Sequence, residues 1–426
     1  MGLDRLTKGL YFRLHAPLAN SRWTLFDCKE LARCCDQESN KTVGVFGECY
    51  MADQATNTVA SLAEALSGKT FGDMKTPWAY GKFSQCTRSE TQIADVDLIL
   101  GYNVWQDYNY HLGLYAQTIV PTGNLPDPTY IFSPIIGNGK HWEFGLGLTG
   151  HLLLWQKGIE QRLLIYAEGN ITHLFKNTQK RSFDFCQNGF MSRYMLLKEF
   201  DSSNNYIGLI NAINFVTRDA DVTIKLKADF SAKLSYYHCN FGFDFGYNIY
   251  GNTKEEVCIK NCTNPLDERF FGFKGTQGVC AIQYNEDAGN LGTLTGNNPS
   301  INSTANNATI YSGGTVDNAI NIPSPAGTVD TAWNNTAIAG DPISNAIIAF
   351  DSEPPVFISI KDLNRRSAES QSILTHKIFG HLSHTWHSRK FEPQIGIGGE
   401  VEFNGKACEQ KYTDNWGIWL KGGLAF

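Results

Sequence analysis

Residues 221–236 alternate between apolar and polar side chains without a break. Val222, Ile224, Leu226, Ala228, Phe230, Ala232, Leu234 and Tyr236 make one set; Asp221, Thr223, Lys225, Lys227, Asp229, Ser231, Lys233 and Ser235 make the other. A helix, with its 3.6-residue period, scatters both sets around its surface. A β-strand gives each set its own face, because successive side chains point to opposite sides. At ~3.3 Å per residue this strand runs about 50 Å, against ~17–20 Å in ordinary globular sheets. One wholly apolar face backed by a charged one suits a wall between hydrocarbon and water.

The pattern recurs along the chain. Phe241, Phe243, Phe245, Tyr247 and Ile249 alternate with Gly242, Asp244, Gly246, Asn248 and Tyr250, and Trp142, Phe144, Leu146 and Leu148 with Glu143, Gly145, Gly147 and Thr149. Tyr108, Tyr110, Leu112 and Leu114 repeat it, as do Leu163, Ile165 and Ala167, and Ile395, Ile397, Val401 and Phe403. Candidate strands fall near 79–86, 92–104, 107–119, 140–155, 160–173, 192–200, 206–217, 220–237, 239–250, 269–284, 372–387, 392–404 and 413–426, with short runs at 9–15 and 355–361. Many of these segments are longer than the five or so residues typical of sandwich strands. Aromatic residues recur at their ends (Tyr102, Tyr108, Trp142, Trp155, Tyr236, Tyr250, Trp386, Trp416), where interfacial belts lie. No apolar run approaches the ~18–20 residues of a spanning helix. The expected fold is therefore all-β: a transmembrane antiparallel β-barrel of about 12–14 strands, about 14 preferred. A short helical N-terminal segment and one long surface loop complete it.

The chain ends Trp416-Gly-Ile-Trp-Leu-Lys-Gly-Gly-Leu-Ala-Phe426. Counting back by twos from Phe426 gives Leu424, Gly422, Leu420 and Ile418. Here the sequence resembles the Gram-negative outer-membrane β-barrel superfamily, porins included, whose last strand ends in Phe behind alternating apolar residues; Gly422 departs from that pattern. The resemblance implies that Phe426, Leu424, Leu420 and Ile418 form the signal read by the barrel-assembly machinery. It also implies outer-membrane lipid as surroundings, a homo-oligomer, and a bacterial outer-membrane location. Met1 to Asn20 carries charges and no apolar core, so a secretion signal is expected to be missing from the chain shown.

The wall is expected over 78–426. Residues 1–77 form a cysteine-bearing segment, a plug or cap, with a helix over Val59–Leu66 started by Asp53 and stopped by Gly68. Residues 286–350, rich in Asn, Thr, Gly, Ala and Ser, read as the long polar loop. Eleven cysteines point to an oxidising compartment, with Cys28, Cys34, Cys35, Cys49, Cys258 and Cys262 as disulfide candidates. Chain length and cysteine load are similar to those of the cysteine-rich major outer-membrane proteins of obligate intracellular bacteria, which serve as porin and envelope scaffold.

No nucleophile elbow, phosphate loop, zinc-protease helix or nucleotide fingerprint occurs, so neither an enzyme nor a cofactor is expected. His376, His381, His384 and His387 split between the two faces of a strand and cannot converge on a metal. The net charge of −6 argues against nucleic-acid partners. The expected function is a porin-like channel for passive diffusion of small hydrophilic solutes. Its lumen is expected to be lined by Asp95, Asp97, His111, Glu143, Glu168, Lys225, Lys227, Asp229, Lys233, Asp244, Glu400, Glu402 and Lys421. The alternative is an abundant disulfide-linked structural or adhesive barrel with a plugged lumen.

Overall fold

The computed structural model describes residues 9–24, 59, 62–71, 74–84, 86–158, 160–260, 264–274, 282–285, 290–293, 304, 306–310, 355–386, 392–404 and 414–425. The fold is predominantly antiparallel β. The first strands are β1 (Leu10–His15), β2 (Leu18–Trp23), β3 (Arg88–Ile93), β4 (Val96–Gln106), β5 (Tyr110–Val120), β6 (Glu143–Lys157) and β7 (Gln161–Ser182). Then come β8 (Asp184–Phe185), β9 (Leu196–Phe200), β10 (Tyr206–Asn211), β11 (Thr217–His238), β12 (Phe241–Asn252), β13 (Glu255–Ile259) and β14 (Phe270–Phe273). The last are β15 (Ile282–Asn285), β16 (Asn290–Thr293), β17 (Leu363–Asn364), β18 (Ile373–Thr385), β19 (Glu392–Asn404) and β20 (Asn415–Ala425). Two short helices, α1 (Leu62–Leu66) and α2 (Ala212–Val216), interrupt them. No described helix is long and apolar enough to cross a membrane.

The main sheet runs β1-β4-β5-β6-β7-β11-β12-β18-β19-β20, each strand antiparallel to its neighbours, with β13 added beside β11. It is an up-and-down meander, and its connections are strongly unequal. At one end residues 107–109, 158–160, 239–240 and 386–391 turn the chain. The strand ends that open onto the longer intervals 16–95, 121–142, 183–216, 253–372 and 405–414 all lie at the other end. Among the described residues the outer edges of β1 and β20 have no strand partner, so no closed barrel forms.

The sheet has eleven strands, fewer than expected, for a definite reason. Three candidate wall segments, 192–200, 206–217 and 269–284, leave the wall. Their strands pair β10-β9-β14 in a separate sheet, and 79–86 forms no strand beyond an isolated bridge at Lys82. The run 9–15 takes a wall place as β1. The departing segments carry adjacent apolar residues, as in Ala212-Ile213 and Phe215-Val216, and so can be buried on both sides. With Trp78, Phe183, Phe185, Leu197, Phe271 and Phe273 they build a compact core on the long-loop side. Phe183, Leu197, Ile213, Val216 and Phe271 are completely buried. This cap grows directly from the wall: β7 and β11, of 22 residues each, extend into it, and Ala220 and Val222 of β11 join its core.

The helix expected over Val59–Leu66 is the shorter α1, and Gly68 takes φ +88 behind it, a value that suits glycine. Asp53 lies outside the described residues. Of the expected surface loop, β16 pairs with β15, while Ala308 is buried in the cap with its carbonyl accepting from Asn188 Nδ2 at 2.8 Å.

Candidate functional site

The two faces of the meander differ as the alternation requires. Outward stand Phe12, Leu100, Leu146, Phe230, Phe245, Leu382, Ile397 and Ile418, with Leu146 63% and Ile418 71% exposed. Globular monomers rarely leave so continuous an apolar field uncovered.

The opposite face is concave and charged. Arg13 Nη2 of β1 donates to Glu168 Oε1 of β7 at 2.8 Å, although β4, β5 and β6 lie between. In a flat sheet those strands stand ~19 Å apart, beyond the reach of two side chains. The sheet therefore curls towards its polar side. The Arg13 guanidinium lies 5.5 Å from the ring centres of both Tyr11 and Tyr115.

Nearer the cap, Lys227 Nζ reaches over β7 to lie 3.1 Å from both carboxylate oxygens of Glu143. Thr172 Oγ1 (3.0 Å) and Asn138 Nδ2 (2.9 Å) donate to the same carboxylate. Glu143 is only 1% exposed, and burying a carboxylate so completely is tolerable only with such partners. Nearer the short turns, Asp244 accepts from Ser235 Oγ at 2.5 Å and faces Lys233 at 3.4 Å and His381 at 3.3 Å. Lys377 bridges Glu400 (3.2 Å) and Glu402 (3.8 Å). Asp229 accepts from Asn248, and the His111 and His151 rings meet Nδ1 to Nδ1.

Of the expected lumen residues, Asp97, His111, Glu143, Glu168, Lys227, Asp229, Lys233, Asp244, Glu400 and Glu402 share this concave face; Lys421 has its parity on β20. Two do not join them. Asp95 precedes β4 and accepts from the backbone N–H groups of Gly123 (3.1 Å) and Asn138 (2.6 Å), so it fastens the 121–142 connection. Lys225 sits where β11 shifts register between Ile224 and Lys227, is exposed, and pairs with Glu256 at 2.5 Å on the outer side. The same shift divides the long apolar set: Val222 is buried in the cap, while Leu226 and Phe230 face outward.

Sequence reading missed Tyr11, Arg13, Tyr115, His151, Tyr166, Tyr237, Lys377 and His381, all on the polar side. Their parity on each strand was the available signal. Also missed was the purpose of several polar-face glycines. A Cβ at Gly101 would strike the Tyr11 ring, and one at Gly147 the Tyr115 ring. Gly246 and Gly398 make the same room for Phe379 and Trp419. The glycines are seats for aromatic rings that fill the concavity.

Ile418, Leu420 and Leu424 lie exposed along β20; Phe426 is outside the described residues. So are Cys28, Cys34, Cys35, Cys49 and Cys262. Cys258, proposed for a disulfide, is a free exposed thiol, as are Cys86, Cys186 and Cys239. Among the described residues no group of three or more His, Cys, Asp or Glu is placed to hold a metal. No family model matches the sequence, and no curated protein matches it.

Proposed function

We propose that the meander is the wall of a β-barrel in a Gram-negative-type outer membrane, serving as a narrow porin-like path for small hydrophilic solutes. The observation that carries this reading is the ten-strand outward apolar field backed by a charged concave face. Two further features support it. Trp142 and Trp155 flank the outward face of β6; at ~3.3 Å per residue they stand roughly 40 Å apart along the strand, and a tilt of ~40° reduces this to about 30 Å, a bilayer core. Short turns at one end and long connections at the other match the periplasmic and extracellular ends of such barrels.

Lipid cannot satisfy the bare edges of β1 and β20, so on this reading the two strands pair with each other in the membrane. A second reading is favoured by one observation. The Arg13–Glu168 and Lys227–Glu143 bridges cross the concavity, which suits a closed barrel that displays its cap as a structural or adhesive surface protein.

Planar-bilayer conductance separates the two. A pore gives discrete openings in the wild type, and Arg13→Ala enlarges them by removing a bridge. Silence in both the wild type and Arg13→Ala overturns the pore and leaves the scaffold.

A further inference from the structure

The outward face is not uniformly convex. Across β7, β11 and β12 it carries a groove of about 760 Å³, within the roughly 300–1,000 Å³ of sites that enclose a small ligand. Gly169, Ala228 and Gly251 make its floor, and Leu146, Ile171, Leu226, Phe230 and Leu374 its walls. The register explains the hollow. Ala228 stands between Ile171 and Gly251, and Gly169 opposite Phe230, so small residues of three neighbouring strands fall at two adjacent levels of the same face.

The cap-side end differs in chemistry. Asn252, Thr253 and Ser372 close the groove there, and the Leu226 N–H donates to Thr253 Oγ1 at 3.1 Å. Next along the chain from Leu226 and Thr253 come Lys225 and Lys254, and Lys176 and Lys260 lie on the same outer cap-side stretch. Lys225 faces Glu256 at 2.5 Å, Lys254 faces Glu369 at 3.6 Å, and Lys176 and Lys260 share Asp221 at 3.1 Å each. Four lysines there face three carboxylates. The Lys225–Glu256 pair is exposed at both ends, and such a pair is weak, so a phosphate displaces that carboxylate at little cost; Lys254 keeps its ammonium exposed beside the more buried Glu369.

We propose that the groove and its rim bind one anionic phospholipid, an acyl chain lying over Ala228 and Gly251 and the phosphodiester meeting Lys225 and Lys254. The groove is hydrocarbon-lined except at its cap-side end, so a wholly polar solute finds little to bond along it, whereas a chain with a phosphate at one end matches both halves. The inference rests on the membrane reading above.

The test is native mass spectrometry of the full chain in detergent, titrated with palmitoyl-oleoyl phosphatidylglycerol or with the matching phosphatidylcholine. One phosphatidylglycerol should be retained at least ~10-fold more strongly than phosphatidylcholine. Ala228→Phe should weaken both lipids ~10-fold, and Gly251→Leu, which fills the same groove from β12, repeats the test should the first variant misfold. Lys225→Gln with Lys254→Gln should reduce phosphatidylglycerol to the phosphatidylcholine level and leave the latter unchanged. Equal retention of the two lipids by the wild type overturns the proposal. So does undiminished binding in properly folded groove-filled variants, or a dimer mass in place of a lipid adduct. Liposome flotation runs beside it: chains that insert yet retain no lipid sink the groove alone, while chains that fail to insert sink the membrane reading itself.

Discussion

Lys227 and Glu143 show how a strand's parity becomes energetics. The carboxylate is buried, and its nearest cation comes from two strands away. Replacing Lys227 with Met leaves that charge uncompensated, which should cost ~3–5 kcal/mol. The double variant Glu143→Gln, Lys227→Met removes both charges and should recover most of the loss, measured by denaturant refolding in detergent. Lys198, in the cap, behaves oppositely. It is 6% exposed, and burial, with the Lys274 charge adding, pushes its amine down to about 8. A base depressed in the fold is protonated more readily in the unfolded chain. Between about pH 8 and the ordinary lysine value near 10.4, the unfolded state binds more protons and cap stability should rise with pH. Lys198→Met should abolish that rise in a thermal-melt series. Such partners are not legible in a sequence: alternation says that Lys227 and Glu143 share a face, but not that they meet.

Strand β11 carries the lesson for elements. Its sequence is the most regular in the chain, yet its structure changes role midway. Below the register shift Phe230 and Leu234 face outward; above it Ala220 and Val222 enter the cap core. Cysteines placed singly at 227, 229 and 233 in a thiol-free background should react with a membrane-impermeant reagent if the concave face is wet. Those at 230 and 234 should stay silent in the inserted protein. Labelling that ignores parity would refute the assignment of faces. Phe230→Arg should cost ~2–4 kcal/mol if the residue lies at mid-bilayer, whereas Val222→Ala should act through a cap cavity, at ~0.5–1.5 kcal/mol or more. Strands β9, β10 and β14 misled the sequence reading because a short apolar run has no period by which to tell a lipid-facing wall from a buried sheet.

For the whole molecule, the open question of energy is the pair of edges. A curved sheet with two uncapped edges is tolerable in water and costly in hydrocarbon, at several kcal/mol per unsatisfied backbone group. β1 runs towards the cap and β20 away from it, so closure would be antiparallel, like every other pairing in the wall. Cysteine pairs between residues 10–14 and 418–424 should cross-link within one chain in lipid vesicles and much less in denaturant. Cross-links that join two chains instead would mean that the edges close a dimer. The unequal ends reinforce the polarity of such a barrel: the cap and the strand ends that open onto the long connections stand on one side, which leaves the short turns to lead insertion from the other.

Period two along the chain, by itself, determined an antiparallel sheet with one apolar and one charged face, because side-chain direction in a strand is a local property. It placed ten of the expected lumen residues on the concave side for the same reason. Which strands belong to the wall, where the 22-residue strands stop being wall and become cap, and which charges pair across the concavity were decided only by tertiary structure. Those outcomes depend on how far the sheet curls and on what covers each segment's second face, and both are set by residues far apart in the chain.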